Sequence, residues 1–186
     1  MFPDYLTHYY RDAPFRTLTE LPPDEVDRLL AAASKTRELP RRLRTPFYFQ
    51  ERRKFEAIMH RQFVAKGGKP ERENPHYMIL GNSEIWQDIE PHSLSILLAD
   101  FPTEWISFTY SDSWVAYVDR DLRGNMIPRK QQYGMLYRLE ELPALFETYG
   151  WPGDRWKTEA DWEHDVYVEA QIWSDEPLRE YRDVGA

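Results

Sequence analysis

The hydrophobic pattern of this chain changes from helical spacing to strand alternation near residue 70, and this change restricts the fold more than any other feature. Before it, two segments have the proline starts and apolar stripes of amphipathic helices. One begins at Pro22–Pro23, and the other runs from Thr45–Pro46 to a glycine stop at Gly67–Gly68. After it come short strand-like segments at residues 76–80, 93–98, 106–110, 114–118 and 165–173. The pattern predicts an α+β fold, with a helical N-terminal region packed on a mostly antiparallel β-rich body.

The length of 186 residues suits one domain, and we expect residues 1–186 to form it. Within it we expect a helical N-terminal lobe at 1–70 and a β-rich body at 71–186 with one late helix, Leu139–Tyr149. Seven tryptophans, twelve tyrosines and nine phenylalanines can fill a core of that size. Residues 1–15 mix aromatic rings with prolines, which predicts an irregular segment held to the core by its rings.

A polar break interrupts the apolar stretch Trp105–Tyr117. Strand-like alternation before it and an aromatic run after it predict two strands, and we expect residues 114–118 to pair with residues 134–138. Between the strands lies Ser111-Asp112-Ser113, whose polar groups need partners if they are removed from water. The break either caps or bulges the sheet through backbone hydrogen bonds, or it faces a ligand.

Several kinds of site are poorly supported by the sequence. The chain has no cysteine, so disulfides, thiolate metal ligands and a cysteine nucleophile are excluded. Gly81-Asn82-Ser83 lacks the closing glycine of a hydrolase serine turn, and there is no phosphate loop or dinucleotide glycine motif. Arg123 and Lys130 replace ligands that a calcium loop needs. The five histidines lack zinc spacing, so no metal site is predicted.

The expected cellular location of the protein depends on whether the sequence contains a membrane helix or a secretory signal. No apolar run approaches the roughly 20 residues of a membrane helix, and the start has no secretory signal pattern. We therefore expect no membrane association and a cytoplasmic location.

Positive charge is concentrated in one part of this acidic chain, whose net charge is -8. Residues 35–72 carry 12 Lys and Arg against 4 Asp and Glu. One explanation is internal, with a basic helix docking on an acidic body. The other is a surface for nucleic acid or another acidic partner. Its candidate side chains are Arg41, Arg42, Arg44, Arg52, Arg53, Lys54 and Arg61.

The last strand-like segment carries a carboxylate between apolar residues. On a strand, Glu169 and Gln171 project to one face, opposite Val168, Ala170 and Ile172. Glu169 is then either on a solvated edge or in a partly desolvated cleft, where it could act as an acid or base.

A histidine-led strand, an aromatic strand followed by serines and a tyrosine, and a late strand with glutamate occur in this order. Locally, ISFTYSDSWVAY and EAQIWSDEPLREYR carry the second and third elements. This order resembles the ADP-ribosyltransferase superfamily, in particular its DNA-modifying toxin branch. The resemblance implies NAD as the substrate cofactor.

The resemblance also implies roles for five residues. His76 would contact the nicotinamide ribose, while Ser111, Ser113 and Tyr117 would line the nicotinamide pocket. Glu169 would be the catalytic carboxylate, orienting a ribose hydroxyl and stabilising an oxocarbenium-like state.

An interaction protein is the alternative function. In that case the chain would be non-catalytic and would bind a protein or nucleic acid through the basic helix and exposed aromatic side chains.

Overall fold

The computed structural model describes residues 2–15, 18–36, 46–120, 124–153 and 155–182. Within these ranges, a five-stranded antiparallel sheet has the strand order β3-β1-β2-β5-β4. The strands are β1 (Tyr5–Tyr10), β2 (His76–Leu80), β3 (His92–Leu97), β4 (Ile106–Tyr110) and β5 (Val168–Ile172). The α-helices are α1 (Pro23–Thr36), α2 (Pro46–Ala65), α3 (Glu84–Ile89), α4 (Ser113–Tyr117) and α5 (Leu142–Tyr149). The predicted α+β fold is confirmed.

Short 3₁₀ helices connect several of these elements. They are Leu18–Glu20, Leu98–Asp100, Thr103–Trp105, Leu139–Glu141, Arg155–Lys157, Ala160–Trp162 and Glu176–Tyr181. The predicted late helix over residues 139–149 is therefore present as a 3₁₀ turn followed by α5. Among the described residues, no helix combines the length and apolar character that crossing a membrane requires.

Strand β1 corrects the expectation of an irregular segment over residues 1–15. Leu6 pairs with Leu80 of β2 on one side and with Ile96 of β3 on the other. Leu6 is buried, whereas the prolines that suggested irregular structure lie outside the strand, at Pro3 and Pro14. Proline is compatible with a strand when it flanks the paired residues. The N-terminal residues therefore contribute to the same sheet as the later strands.

One face of the sheet, here called the apolar face, carries the larger hydrophobic core. Alternate residues of the central strands point into this core, which α5 covers. Leu178, in the last 3₁₀ helix, also packs here and is buried. The main strand contributors are Met78, Leu80, Ile106, Phe108, Tyr110, Val168, Ala170 and Ile172.

The opposite face, here called the polar face, carries the side chains of Tyr77, Ser107, Thr109, Glu169 and Gln171. Their common orientation follows from the register, because directly paired residues of antiparallel strands project to the same side. Helix α2 covers this face with a second hydrophobic core. Polar side chains are therefore enclosed between a helix and a sheet.

Helix α2 has the ends that its sequence predicts. It begins at Pro46, whose fixed φ suits the first helical turn. Beyond its end, Gly67 has a φ of 83° and Gly68 donates its N–H to the carbonyl of Phe63. This left-handed conformation favours glycine, which therefore stops the helix. Phe63 is fully buried and stacks on Trp173, which fixes α2 against the end of β5.

The predicted strand over residues 114–118 is wrong, because these residues form helix α4. Asp112 accepts a hydrogen bond from the N–H of Trp114 and so caps the helix. The predicted partner segment, 134–138, contacts β4 instead through a bridge between Tyr137 and Phe108.

Candidate functional site

A ladder of hydrogen bonds crosses the polar face of the sheet and holds its side chains in place. Ser107 donates to Gln171 at 3.1 Å, and Gln171 donates to Thr109 at 3.1 Å. The indole N–H of Trp173 donates to Ser107 at 2.8 Å. Because these polar groups are buried and paired, the ladder is a structural support for the residues beside it.

Glu169 stands beside this ladder, opposite Thr109 in the pairing of β4 with β5. Its side chain accepts a hydrogen bond from the backbone N–H of Ser113 at 3.1 Å. Only 7% of Glu169 is exposed. Burial, reinforced by the nearby Asp112 carboxylate, raises the pKa of Glu169 to about 8, although Arg52 and Ser113 act in the opposite direction. The carboxyl is therefore mostly protonated at neutral pH.

The turn between β4 and α4 brings a second carboxylate to Glu169. Ser111 has a φ of 76°, which is the left-handed conformation that a residue with a side chain rarely adopts. The chain reverses there, and Asp112 then caps α4 while also accepting a hydrogen bond from Tyr167 at 2.7 Å. A strained residue at this point is typical of functional sites as well as of tight turns.

The guanidinium of Arg52, from α2, lies among aromatic rings and carboxylates on the polar face. Its Nε donates to Glu56 at 3.1 Å, its Nη1 donates to Tyr48 at 2.6 Å, and its carbon lies 4.0 Å from the centre of the Tyr77 ring. Glu56 is fully buried and also accepts a hydrogen bond from Tyr77 at 2.8 Å and one from Asn74 at 2.5 Å.

Burial is the main reason why Glu169 holds its proton, and the nearby Asp112 carboxylate adds to it. The Arg52 guanidinium acts in the opposite direction, but it also pairs with the buried Glu56 carboxylate. Its positive charge therefore does not offset the combined effect of burial and Asp112 on the pKa of Glu169. We call Glu169, Ser113, Asp112, Arg52 and Glu56 the Glu169 cluster.

The hydroxyl of Ser113 is the polar group of this cluster that lacks a good partner. Ser113 is fully buried, and its Oγ has no hydrogen bond of acceptable geometry within the described residues. The hydroxyl nevertheless faces Glu169 closely enough to lower the pKa of that carboxyl. An unsatisfied buried hydroxyl costs stability, and a ligand that accepted its proton would remove that cost.

Of the five residues that the sequence analysis selected, Ser113 and Glu169 are brought together. Ser111 lies two positions before Ser113, but its hydroxyl donates to the carbonyl of His164 at 2.5 Å. The hydroxyl of Tyr117 donates to the side chain of Gln62, which lies in α2, at 2.5 Å.

His76 lies on the apolar side of β2, because its neighbour Tyr77 shares the polar face with Glu169. Its Nε2 lies 2.8 Å from Asp175, which also pairs with Arg72 and Arg182. Burial, reinforced by Arg72, lowers the pKa of His76 to about 4. The structure therefore separates His76 from Glu169 by the thickness of the sheet.

Arg52 was a candidate side chain for a surface that binds an acidic partner, but its guanidinium lies on the side of α2 that packs against the sheet. Its spacing shows why, since Tyr48, Arg52 and Glu56 recur at intervals of four and form one row on a helix. A basic residue followed four positions later by an acidic one, and flanked by aromatic residues, is the signal that could have identified this buried pair.

The other basic residues of the proposed interface differ in their surroundings. Arg53 donates to the backbone carbonyls of Thr19 and Leu21, and Lys54 pairs with Glu51 within α2. Arg61 is exposed. Arg41, Arg42 and Arg44 lie outside the described residues.

Metal ligands are not grouped in the part of the chain that the structure describes, where no set of three or more His, Cys, Asp or Glu side chains is suitably arranged. Comparisons of the chain with protein-family models, with curated proteins and with solved structures found no match. Function therefore has to be inferred from the chemistry of the Glu169 cluster.

Proposed function

We propose that the protein is an enzyme of the ADP-ribosyltransferase type, which uses Glu169 as its acid–base residue and NAD as its ADP-ribose donor. The single observation that carries the proposal is the buried Glu169 carboxyl, whose pKa of about 8 lies near physiological pH. A general base works best when its pKa is close to the working pH. A buried carboxyl with a second carboxyl nearby is also typical of enzymes that cleave glycosidic bonds.

In the proposed reaction, the bond between the ribose C1′ and the nicotinamide nitrogen breaks, and its electron pair passes to the pyridinium ring. An acceptor oxygen, from water or from a substrate hydroxyl, forms the new bond to C1′ and gives its proton to Glu169. The ionised Glu169 also stabilises the positive charge that develops on the ribose. Since the nicotinamide ring is cationic, its binding favours the ionised form of Glu169.

Ser113 has a positioning role in this proposal. Its N–H holds one oxygen of Glu169, and its buried hydroxyl, which has no hydrogen bond of acceptable geometry within the described residues, is available to a ligand. The proposed centre consists of Glu169 and Ser113 with the neighbouring Asp112, and it does not require His76.

The test is to measure NAD binding by calorimetry and nicotinamide release by chromatography. We expect Glu169→Gln to bind NAD but to release nicotinamide at least about a hundred-fold more slowly, which is the usual effect of losing a general base. The matched control is Glu147→Gln, because Glu147 is an exposed glutamate on α5. Absence of NAD binding, or an equal rate in the Glu169 variant, would reject the proposal.

A second candidate function is binding of an acidic partner through the outer side of α2. Phe47 is 60% exposed and Ile58 is 37% exposed on this helix, near the cations of Lys54 and Arg61. Trp114 and Trp173 are buried, so these two aromatic side chains do not contribute to such a surface.

Titration with single-stranded RNA and duplex DNA at increasing salt tests this second candidate. We expect affinity to fall steeply with salt and to fall again in an Arg61→Gln, Lys54→Gln double variant. Glu147→Gln is again the charge control. An affinity that changes neither with salt concentration nor in the double variant would exclude an electrostatic interface.

A further inference from the structure

A surface pocket of about 610 Å³ lies between α2 and the segments that precede α1 and β2. Its volume is in the range of sites that hold small organic molecules. Asn74 and Thr19 lie in its wall, and both donate hydrogen bonds to the buried Glu56. The lining residues used below are Leu21, Pro22, Arg53, Ala57, Arg61 and Glu73.

The α2 side of the pocket is basic. Arg53, Ala57 and Arg61 are spaced by four residues, so they form one row along the helix. Ala57 has the smallest side chain of the row, which leaves space between the two arginines. The Arg53 guanidinium is oriented by hydrogen bonds to the carbonyls of Thr19 and Leu21, at 3.3 Å and 2.6 Å.

The other side of the pocket supplies little opposing charge. Glu20 already pairs with Arg72, a cation outside the pocket. Glu73 is then the remaining carboxylate among the described lining residues, against the two guanidinium groups of Arg53 and Arg61. The pocket therefore has a positive excess, while Leu21, Pro22 and Ala57 give it apolar surface.

From this arrangement we propose that the pocket binds a small organic phosphate. A phosphate monoester carries a charge close to −2 at neutral pH, which two guanidinium groups can match. Guanidinium groups also suit the geometry of phosphate oxygens. The apolar wall would contact the organic part of the ligand.

The proposed phosphate site is distinct from the Glu169 cluster and does not rest on the enzymatic proposal. Glu56 bonds to Arg52 and also to the pocket residues Thr19 and Asn74, but none of the described residues that line the pocket belongs to the Glu169 cluster. Glu169→Gln should therefore leave phosphate binding intact. Loss of one function with retention of the other distinguishes the two proposals.

The experiment is a calorimetric titration of the full chain with ribose 5-phosphate, with inorganic phosphate and with ribose. We expect saturable binding of ribose 5-phosphate, weaker binding of inorganic phosphate and none of ribose. Arg61→Gln should weaken binding about tenfold, the usual effect of losing one charge-assisted contact. Lys69→Gln removes the same charge outside the pocket, from an exposed residue that pairs with Glu104, and should leave the affinity unchanged.

A steric variant tests the position of the ligand independently of charge. Ala57→Leu keeps a good helix former at an exposed position but fills the space between the arginines. We expect it to fold normally and to lose binding. The proposal is overturned if ribose 5-phosphate does not bind, if Ala57→Leu binds as the wild type does, or if Lys69→Gln and Arg61→Gln weaken binding equally.

Discussion

The backbone N–H of Ser113 donates to the carboxyl of Glu169 at 3.1 Å, across 56 residues of sequence. This bond joins the first residue of α4 to the middle of β5. It makes the protonation state of Glu169 depend on the turn after β4 as well as on burial, because the N–H stabilises the ionised carboxylate.

Glu169 should make the protein less stable as the pH rises. Its pKa is about 8 in the folded state against an ordinary value of 4.5, so the native state holds more protons between these two pH values. The free energy of unfolding therefore falls from about pH 4.5 to pH 8, by on the order of 4 kcal/mol from this group alone. Urea unfolding at several pH values measures the slope.

The matched variant for this prediction is Glu169→Gln, which has no ionisable group at this position. We expect it to lack the downward slope and to exceed the wild type in stability at pH 8. Parallel profiles of the two proteins would show that Glu169 is not held protonated.

His8 should produce the opposite pH dependence. Its Nδ1 donates to the carbonyl of Tyr77 at 2.9 Å, and its Nε2 accepts from the N–H of Phe15 at 2.9 Å, which defines a neutral tautomer. Burial lowers the pKa of His8 to about 4. As the pH falls, the unfolded state protonates this histidine at a higher pH than the folded state does. The contribution of neutral His8 to the free energy of unfolding is therefore complete above pH 6.5 and is lost as the pH falls from 6.5 to 4.

Nuclear magnetic resonance of the imidazole nitrogens tests the His8 assignment directly. We expect the signal of a neutral ring protonated on Nδ1 to persist down to about pH 4. An Nε2-protonated ring at neutral pH, or titration close to pH 6.5, would contradict it.

Glu56→Gln should destabilise the protein by about 3 to 5 kcal/mol, because Arg52 would lose the charge with which it is buried. The control is Glu51→Gln, which breaks the more exposed pair with Lys54 and should cost less than about 1 kcal/mol. Denaturant unfolding measures both values. A double variant, Arg52→Met with Glu56→Leu, should recover much of the loss, and failure to do so would mean that Glu56 acts mainly through its neutral partners.

Ser111→Gly should be better tolerated than Ser111→Ala. Both variants lose the hydrogen bond to the carbonyl of His164, but only glycine adopts a φ of 76° without strain. We expect the alanine variant to be less stable by about 1 kcal/mol or more in thermal unfolding. Equal stability of the two variants would show that the turn relaxes without cost.

Local signals account for the elements that could be predicted. Pro46 and Gly67 mark the ends of α2 through their own backbone preferences, and the alternation around Glu169 identifies the buried faces of β5. The run from Trp114 to Val118 could not be assigned in this way, because five apolar residues fit a buried strand or one helical turn equally well. The cap from Asp112 and the contacts with α2 decide between them.

The candidate site was predictable only in part for a similar reason. Glu169 and Ser113 meet because β4 pairs with β5 in the observed register. The face on which His76 lies depends on the register of β2 with β5, which no local pattern determines. A shift of one position along the strand moves a side chain from one face to the other.

The position of β5 in the sheet has a consequence for how the chain folds. β5 stands between β2 and β4, so the sheet is interrupted until residues near 170 have been synthesised. The residues that pair with β1 also lie about 70 to 90 positions later in the chain. Contacts of such long sequence separation slow folding, because loop-closure entropy is lost before the contacts form. We therefore expect this sheet to form only after β5 has been synthesised. Until then, the edge of β2 is unpaired and is open to non-native pairing.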